Sequence, residues 1–396
     1  MYKLIEWIRV LTMSTDACST NTSDMTNNYH ANMNNVHNIV NKKRHTKYFQ
    51  RCLDVLPPRL ASHDSTRVTL AFFAICGLDV LNSLDVLSEN RRREICDWIY
   101  RFQIISNDSP NCSGFQGSST LNIKDADAST CGSEKYKWGH LAMSYTGISM
   151  LVTLGDDLSR LNRKAIVDGV AAVQRTDGSF SASIEGNEHD MRFVYCAAAI
   201  CYMLDDWGSV NKQLMANYIK NSIRYDSGIS QHYEMESHGG TTFCAIAALH
   251  LSGQMDVLSE STRDKLIRWL VFRQQESGFN GRPNKPSDAC YSFWIGATLK
   301  ILGAFQFTNF SSNREYLLET QDVITGGFSK WPGSSPDPFH TYFSLCGLSF
   351  IKEEGLEAVM PSLNISQRAY DRLCDIQRTW KQQRTNDATD TRLDIE

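Results

Sequence analysis

No two of the 12 cysteines in this chain form a Cys-x-x-Cys pair, and they scatter from Cys18 to Cys374 without a framework. That excludes a disulfide-stapled secreted scaffold and fits a reducing, cytoplasmic compartment. A long apolar run is also missing. The opening MYKLIEWIRVL holds Glu6 and Arg9, so it is too short and too charged for a signal peptide or a membrane span. An integral membrane protein is therefore not expected. Nor does one sign of charge dominate. Lys and Arg number 40 against 44 Asp and Glu, a net charge of -4, which gives no reason to expect nucleic acid. Any cations that bind phosphate must be local. The strict alternation that marks strands is scarce, which argues against a sheet-based fold.

What is present is bulk and period. The 396 residues are 42% hydrophobic and 21% charged, enough for a sizeable core. Residues 1–45 are rich in Asn, Ser, Thr and Met and are expected to be a disordered extension. Residues 371–396 are expected to be a loose polar tail. Between them, from 46 to 370, apolar residues recur at helical spacing. The stretch 66–87 reads as a buried helix and its exit, 92–103 as an amphipathic helix, and 139–155 as another buried one.

The chain then repeats itself. VAAVQRTDGSF, IRYDSGI, FRQQESGFNG and LETQDVITGGF put turn glycines at 178, 228, 278 and 327, steps of 50, 50 and 49. Gly114 is an earlier and more distant member. A fixed period in this range signals a repeat architecture, and two helices with two loops fill each unit. The fold class is all-α, stacked helical hairpins in one domain. Periodicity leaves open whether they form a solenoid or a closed ring.

Residues 278–294, GFNGRPNKPSDACYSFW, are a loop feeding a helix. Asp288 and Cys290, two apart, cannot share a face of one helix, yet on such a loop both can point at one spot. With one more ligand they would make an open zinc site. Arg282, Lys285 and the coming helix N-terminus make a setting for phosphate. Plainer readings exist: Asp288 as an N-cap, Cys290 as a buried small hydrophobe, and the two cations as solvated loop charges. The period adds weight to the metal reading. His238 lies 50 before Asp288, and Cys290 lies 50 before His340. Equivalent positions of stacked repeats share a face, so Asp288, Cys290 and His340 are candidates to converge.

GRPNKPSDACYSFW, with SHGGTTFC before it and FHTYFSLCGL after, resembles the β subunits of protein prenyltransferases. HTKYFQRCLDVLPPR, RVTLAFFAICGLDVLNSLDVL, GDDLSR and EHDMRFVYC look most like the type I geranylgeranyl members. The resemblance implies a closed α/α barrel that pairs with a helical α subunit. It implies one zinc ion on Asp288, Cys290 and His340. It implies that His238, Arg282, Lys285 and Tyr291 meet the diphosphate of geranylgeranyl diphosphate, and that Arg192 lies near the bound peptide. Thr69 and Phe343 match positions that set prenyl length. Lys330 stands where farnesyltransferase β subunits carry a magnesium-binding Asp, so magnesium is not expected to be required. The implied substrates are small GTPases and other proteins ending in Cys-aliphatic-aliphatic-X, with X Leu or Phe. Farnesyltransferase and Rab-type β subunits are the near alternatives, and a non-catalytic binding toroid is a distant one. Phe339, before His340, departs from the smaller aliphatic residue expected there. The Asn-rich extension has no counterpart in the resemblance.

Overall fold

The computed structural model describes residues 39–54, 56, 58–105, 110–119 and 137–393. Its helices are α1 (Lys42–Asp54), α2 (Arg67–Val80), α3 (Glu89–Tyr100), α4 (Leu141–Leu154), α5 (Arg163–Ala172), α6 (Met191–Met203), α7 (Lys212–Asn221), α8 (Gly239–Ser252), α9 (Glu260–Val271), α10 (Tyr291–Ile301), α11 (Phe310–Glu319), α12 (Pro338–Phe350) and α13 (Gln367–Leu393). Strands among the described residues are two-residue antiparallel pairs only.

Helices α2, α4, α6, α8, α10 and α12 pack each on the next, and α12 packs back on α2. That last contact closes the ring, the point periodicity left open. The preceding helix of each hairpin packs outside its inner partner: α1 on α2, α3 on α4, and so on to α11 on α12. The sequence explains the division. An inner helix is covered on every side, so α2 is buried at every residue from Val68 to Val80. An outer helix buries one stripe, as α9 does with Leu266, Trp269 and Leu270. Ser259 fixes where α9 starts by accepting from Thr262 N at 3.2 Å.

The inner-helix N-termini gather at one rim, held there by a recurring bond. Leu141 N donates to Ala182 O, Met191 N to Gln231 O, Gly239 N to Gly281 O and Ala289 N to Lys330 O, at 2.8–3.2 Å. The first three satisfy the N–H of a helix's first residue, which would otherwise lack a partner, and the fourth anchors the loop two residues ahead of α10; each uses the loop of the next repeat. The repeat glycines make those loops possible. Gly278 has φ +72, and a Cβ there would sit 2.3 Å from the Tyr316 ring.

Two sequence expectations are corrected. The ordered barrel begins before residue 46: Lys42 opens α1, and buried His45 accepts from Gly327 N through Nδ1 at 2.9 Å. The remainder of the expected disordered extension, residues 1–38, lies outside the described residues. The polar tail is helical through Leu393. Ala369, Leu373 and Gln377 are buried, and Ile376 and Trp380 pack on the core, an i, i+4, i+7/i+8 stripe that the polar composition hides. This helix covers the end of the ring opposite the rim. Gln377 Nε2 donates to Tyr202 O at 2.6 Å, and Arg368 pairs with buried Asp79 at the end of α2.

Candidate active site and metal centre

Three side chains meet at the rim. Asp288 and Cys290 come from the loop entering α10, and His340 from the first turn of α12. Their ligand atoms all lie within 4.8 Å of one another, and all three residues are buried. Asp337 caps α12 with Pro338 in its first turn, as helix starts favour, and accepts from His340 N at 2.9 Å. Its other oxygen takes His340 Nδ1 at 2.6 Å. Nδ1 is thus committed, and Nε2 faces Asp288 Oδ1 at 3.3 Å, buried and without a hydrogen-bond partner among the described residues. The plainer reading of Asp288 as an N-cap is corrected: Cys290 holds the cap position of α10 without a side-chain cap bond, and Asp288 Oδ1 accepts from Cys290 N at 3.1 Å, just ahead of the helix.

The electrostatics suit a bound cation. Burial pulls the His340 imidazole down, but Asp337 and Asp288 outweigh it and push it up to about 10. Burial alone would raise the Asp288 carboxyl; His340 and then Lys330 outweigh it and hold that carboxyl below its usual range. Burial, then Asp288, push the Cys290 thiol well up. A bound divalent ion reverses that preference, because it favours thiolate and neutral imidazole. An orphaned imidazole nitrogen with O, N and S donors fits zinc.

Lys330 Nζ lies 3.7 Å from Asp288 Oδ2 and over the Trp331 ring, so it belongs to this cluster and is not a solvated surface charge. A second group lies beside it. His238 caps α8, accepting from Gly240 N through Nδ1, and its Nε2 meets Tyr291 OH at 2.8 Å. Gly281 lets this happen, because a Cβ there would lie 2.1 Å from Tyr291 Cζ. Arg282 reaches Glu236 at 2.6 Å. Lys285, on the same loop, is exposed. Arg192 lies elsewhere on the rim, held at 2.9 Å by both oxygens of Asp190 and also paired with Glu188. Inside the ring is an apolar cavity of about 1100 Å³, its open mouth included, whose wall carries Thr69, Phe343, Tyr145, Tyr195 and Phe243. Trp294, one turn after Cys290, and Phe339, next to His340, line it too, so cavity and metal cluster adjoin.

Residues 40–365 match the prenyltransferase alpha-alpha toroid domain. The chain belongs to the prenyltransferase toroid family. Among curated members of that family it is similar to the geranylgeranyl transferase type-1 subunit beta of Dictyostelium discoideum, 39% identical over 83% of this chain and 96% of that one. It is similar also to the Arabidopsis thaliana protein of the same name, 37% identical over 82% of this chain and 88% of the other. A protein farnesyltransferase subunit beta from Schizosaccharomyces pombe is 30% identical over 78% of each chain. In structure, the toroid resembles Candida albicans protein geranylgeranyltransferase-I complexed with GGPP, with TM-score 0.75, 25% identity, and coverage of 86% of this chain and 99% of that one.

Sequence reasoning missed Asp337 and Glu236. The Asp-Pro-x-His pattern at 337–340 signals a helix start with a capping carboxylate three residues before the histidine, so Asp337 was findable. Nothing in the sequence marks Glu236.

Proposed function

We propose that this chain is the catalytic β subunit of a zinc-dependent type I protein geranylgeranyltransferase, active as a cytoplasmic heterodimer with a prenyltransferase α subunit. It moves the lipid of geranylgeranyl diphosphate to the cysteine of proteins ending in Cys-aliphatic-aliphatic-X, with X Leu or Phe. The observation that carries the reading is the convergence of Asp288, Cys290 and His340 beside an open-mouthed apolar cavity. The similarity to type-1 beta subunits supports the choice of donor.

Asp288, Cys290 and His340 Nε2 would hold the zinc, while Asp337 keeps the proton on Nδ1 and the ring in place. Zinc, when bound, offers an open position to the substrate thiol and favours its thiolate. The substrate sulfur bonds to C1 of the lipid as the C1–O bond breaks, and the diphosphate leaves with the electron pair. Arg282, Lys285, the His238–Tyr291 pair and Lys330 meet the charge that grows on the leaving group. Lys330 covers part of what magnesium would do, so the added ion is not required. The cavity takes the lipid, with Thr69 and Phe343 in the wall that limits its length, and Arg192 lies on the side of the peptide.

The test is coexpression with an α subunit, followed by transfer from farnesyl and geranylgeranyl donors to peptides ending in Leu, Phe, Met or Ser. Geranylgeranyl transfer to Leu or Phe peptides, abolished in Cys290→Ala with the helical signal intact, is expected. Preference for the farnesyl donor and Met or Ser would assign the chain to the farnesyl branch. Near-normal activity of Cys290→Ala would remove the zinc site.

A further inference from the structure

The rim brings together two further histidines that share no repeat register. His189 stands in the loop entering α6, and His232 in the loop entering α8. Their ring centroids lie 5.1 Å apart, with the planes at 69°. Two imidazoles that each give one nitrogen to a tetrahedral ion, through bonds of about 2.0–2.1 Å, have centroids about 5 Å apart. The hydrogen-bond partners fix both tautomers. His189 Nδ1 meets Asn187 O at 3.0 Å, and a carbonyl only accepts, so Nδ1 carries the proton. Tyr218 OH has one proton and donates it to Gln231 O at 3.2 Å. The same hydroxyl must therefore accept from His232 Nδ1, also at 3.2 Å. Each ring is left with a bare Nε2 that has no hydrogen-bond partner among the described residues. An Nδ1–H held by an oxygen, with Nε2 free, is how ligating histidines are oriented. Burial holds the His232 imidazole below its ordinary pKa of 6.5, so its lone pair is available at neutral pH. The two loops are also pinned. His189 pairs with Ser181 in a β-bridge, Ser230 Oγ donates to His232 O, and Tyr233 OH reaches across to Asp177 O at 3.4 Å. The Asp177 carboxylate acts on both rings and adds the negative charge that a cation needs nearby. Both imidazoles are half-buried, so an ion can reach them from solvent.

We infer that His189 and His232 form a second metal site on the rim, a two-imidazole site for a borderline divalent ion such as zinc or copper. Among the described residues three donors gather only at Asp288, Cys290 and His340, so this pair gives two ligands and water completes the shell. The site shares no residue with that triad and stands or falls apart from it.

The test titrates copper(II) into the zinc-loaded heterodimer and into its His189→Asn and His232→Asn variants, with thermal unfolding to confirm that the loop substitutions leave the fold intact. Pulsed electron paramagnetic resonance detects the remote nitrogen of each coordinated imidazole and counts the rings on the copper. The parent should bind one equivalent beyond the zinc, with two imidazoles on it. Each variant should show one imidazole or none, and its affinity should fall at least as far as the roughly 10- to 100-fold that losing an outer partner costs. Copper bound with parental affinity and two imidazoles in both variants sits elsewhere and overturns the inference, as does a parent that takes up no copper beyond its zinc. A heterodimer that purifies without zinc, yet binds copper through His189 and His232, refutes the zinc reading of Asp288, Cys290 and His340 and leaves this site standing.

Discussion

Asp337 does two jobs with two oxygens, and two substitutions separate them. Its Oδ1 accepts from His340 N at 2.9 Å and caps α12, while Oδ2 takes His340 Nδ1 at 2.6 Å and leaves Nε2 for the metal. Asp337→Ala removes both. Loss of the cap costs about 1 kcal/mol. Loss of the bond behind the ligand costs roughly 10- to 100-fold in metal affinity. Against burial, Asp337 and Asp288 together push the His340 pKa up to about 10, so losing Asp337 weakens the competing proton and offsets part of that effect. Asp337→Asn behaves differently. Its Oδ1 can still cap, so the metal-free Asn variant should keep the cap energy that Ala loses, while both variants lose the charge that Asp337 sets against the His340 ring. With its NH₂ group turned to Nδ1, however, the ring must accept there and carry its proton on Nε2, the tautomer that cannot ligate. The expected pattern crosses: Ala is the less stable variant, and Asn binds zinc the more weakly. Zinc affinity comes from competition with a chromophoric chelator, and stability from thermal unfolding of the chelator-treated heterodimer. If Asn binds zinc like the parent, Nδ1 is not the tautomer control, and the histidine geometry argued here is wrong.

Thr69→Trp should turn donor preference at least tenfold toward farnesyl diphosphate by filling cavity volume beside Met143, where Thr69 Oγ1 lies 3.5 Å from Sδ; an unchanged ratio in paired donor assays refutes this. Lys330→Asp should slow transfer in magnesium-free buffer, since it puts a second carboxylate where Nζ now faces Asp288 at 3.7 Å, and millimolar magnesium should restore part of the rate. A parental rate that climbs steeply with magnesium contradicts the role given to Lys330. His45 links pH to stability. Burial lowers its pKa from 6.5 to about 4, so between those values the unfolded chain binds the extra proton. Stability is then full above pH 6.5 and falls as pH drops toward 4, by about 3 kcal/mol for this one group. Melting curves across that window should show the slope, and His45→Phe should flatten it.

The closure of the ring shows where sequence reading stops. A 50-residue period fixes what each unit is and which side chains are equivalent, because the same inner position recurs at the same helix start. It carries no information on the rotation between units, and that rotation decides between a solenoid and a ring. Here six units return α12 to α2. The ligand triad follows the same division. Asp288, Cys290 and His340 were legible because they stand on consecutive repeats, adjacent by register alone. Glu236 was not, since its pairing with Arg282 depends on where two exposed loops fall in space. Helix α13 was misread for a different reason. Its buried stripe through Ala369, Leu373, Gln377 and Trp380 is narrow, and polar residues surround it, because one face covers the ring's end and the rest meets water. Average composition records the wet face, whereas spacing records the dry one. The two disagree most for a helix that caps a core without entering it. They agree for α2, which is dry on every side. Legibility therefore tracks how many sides of an element are buried, and for the site it tracks whether the contact lies within the repeat register or across it.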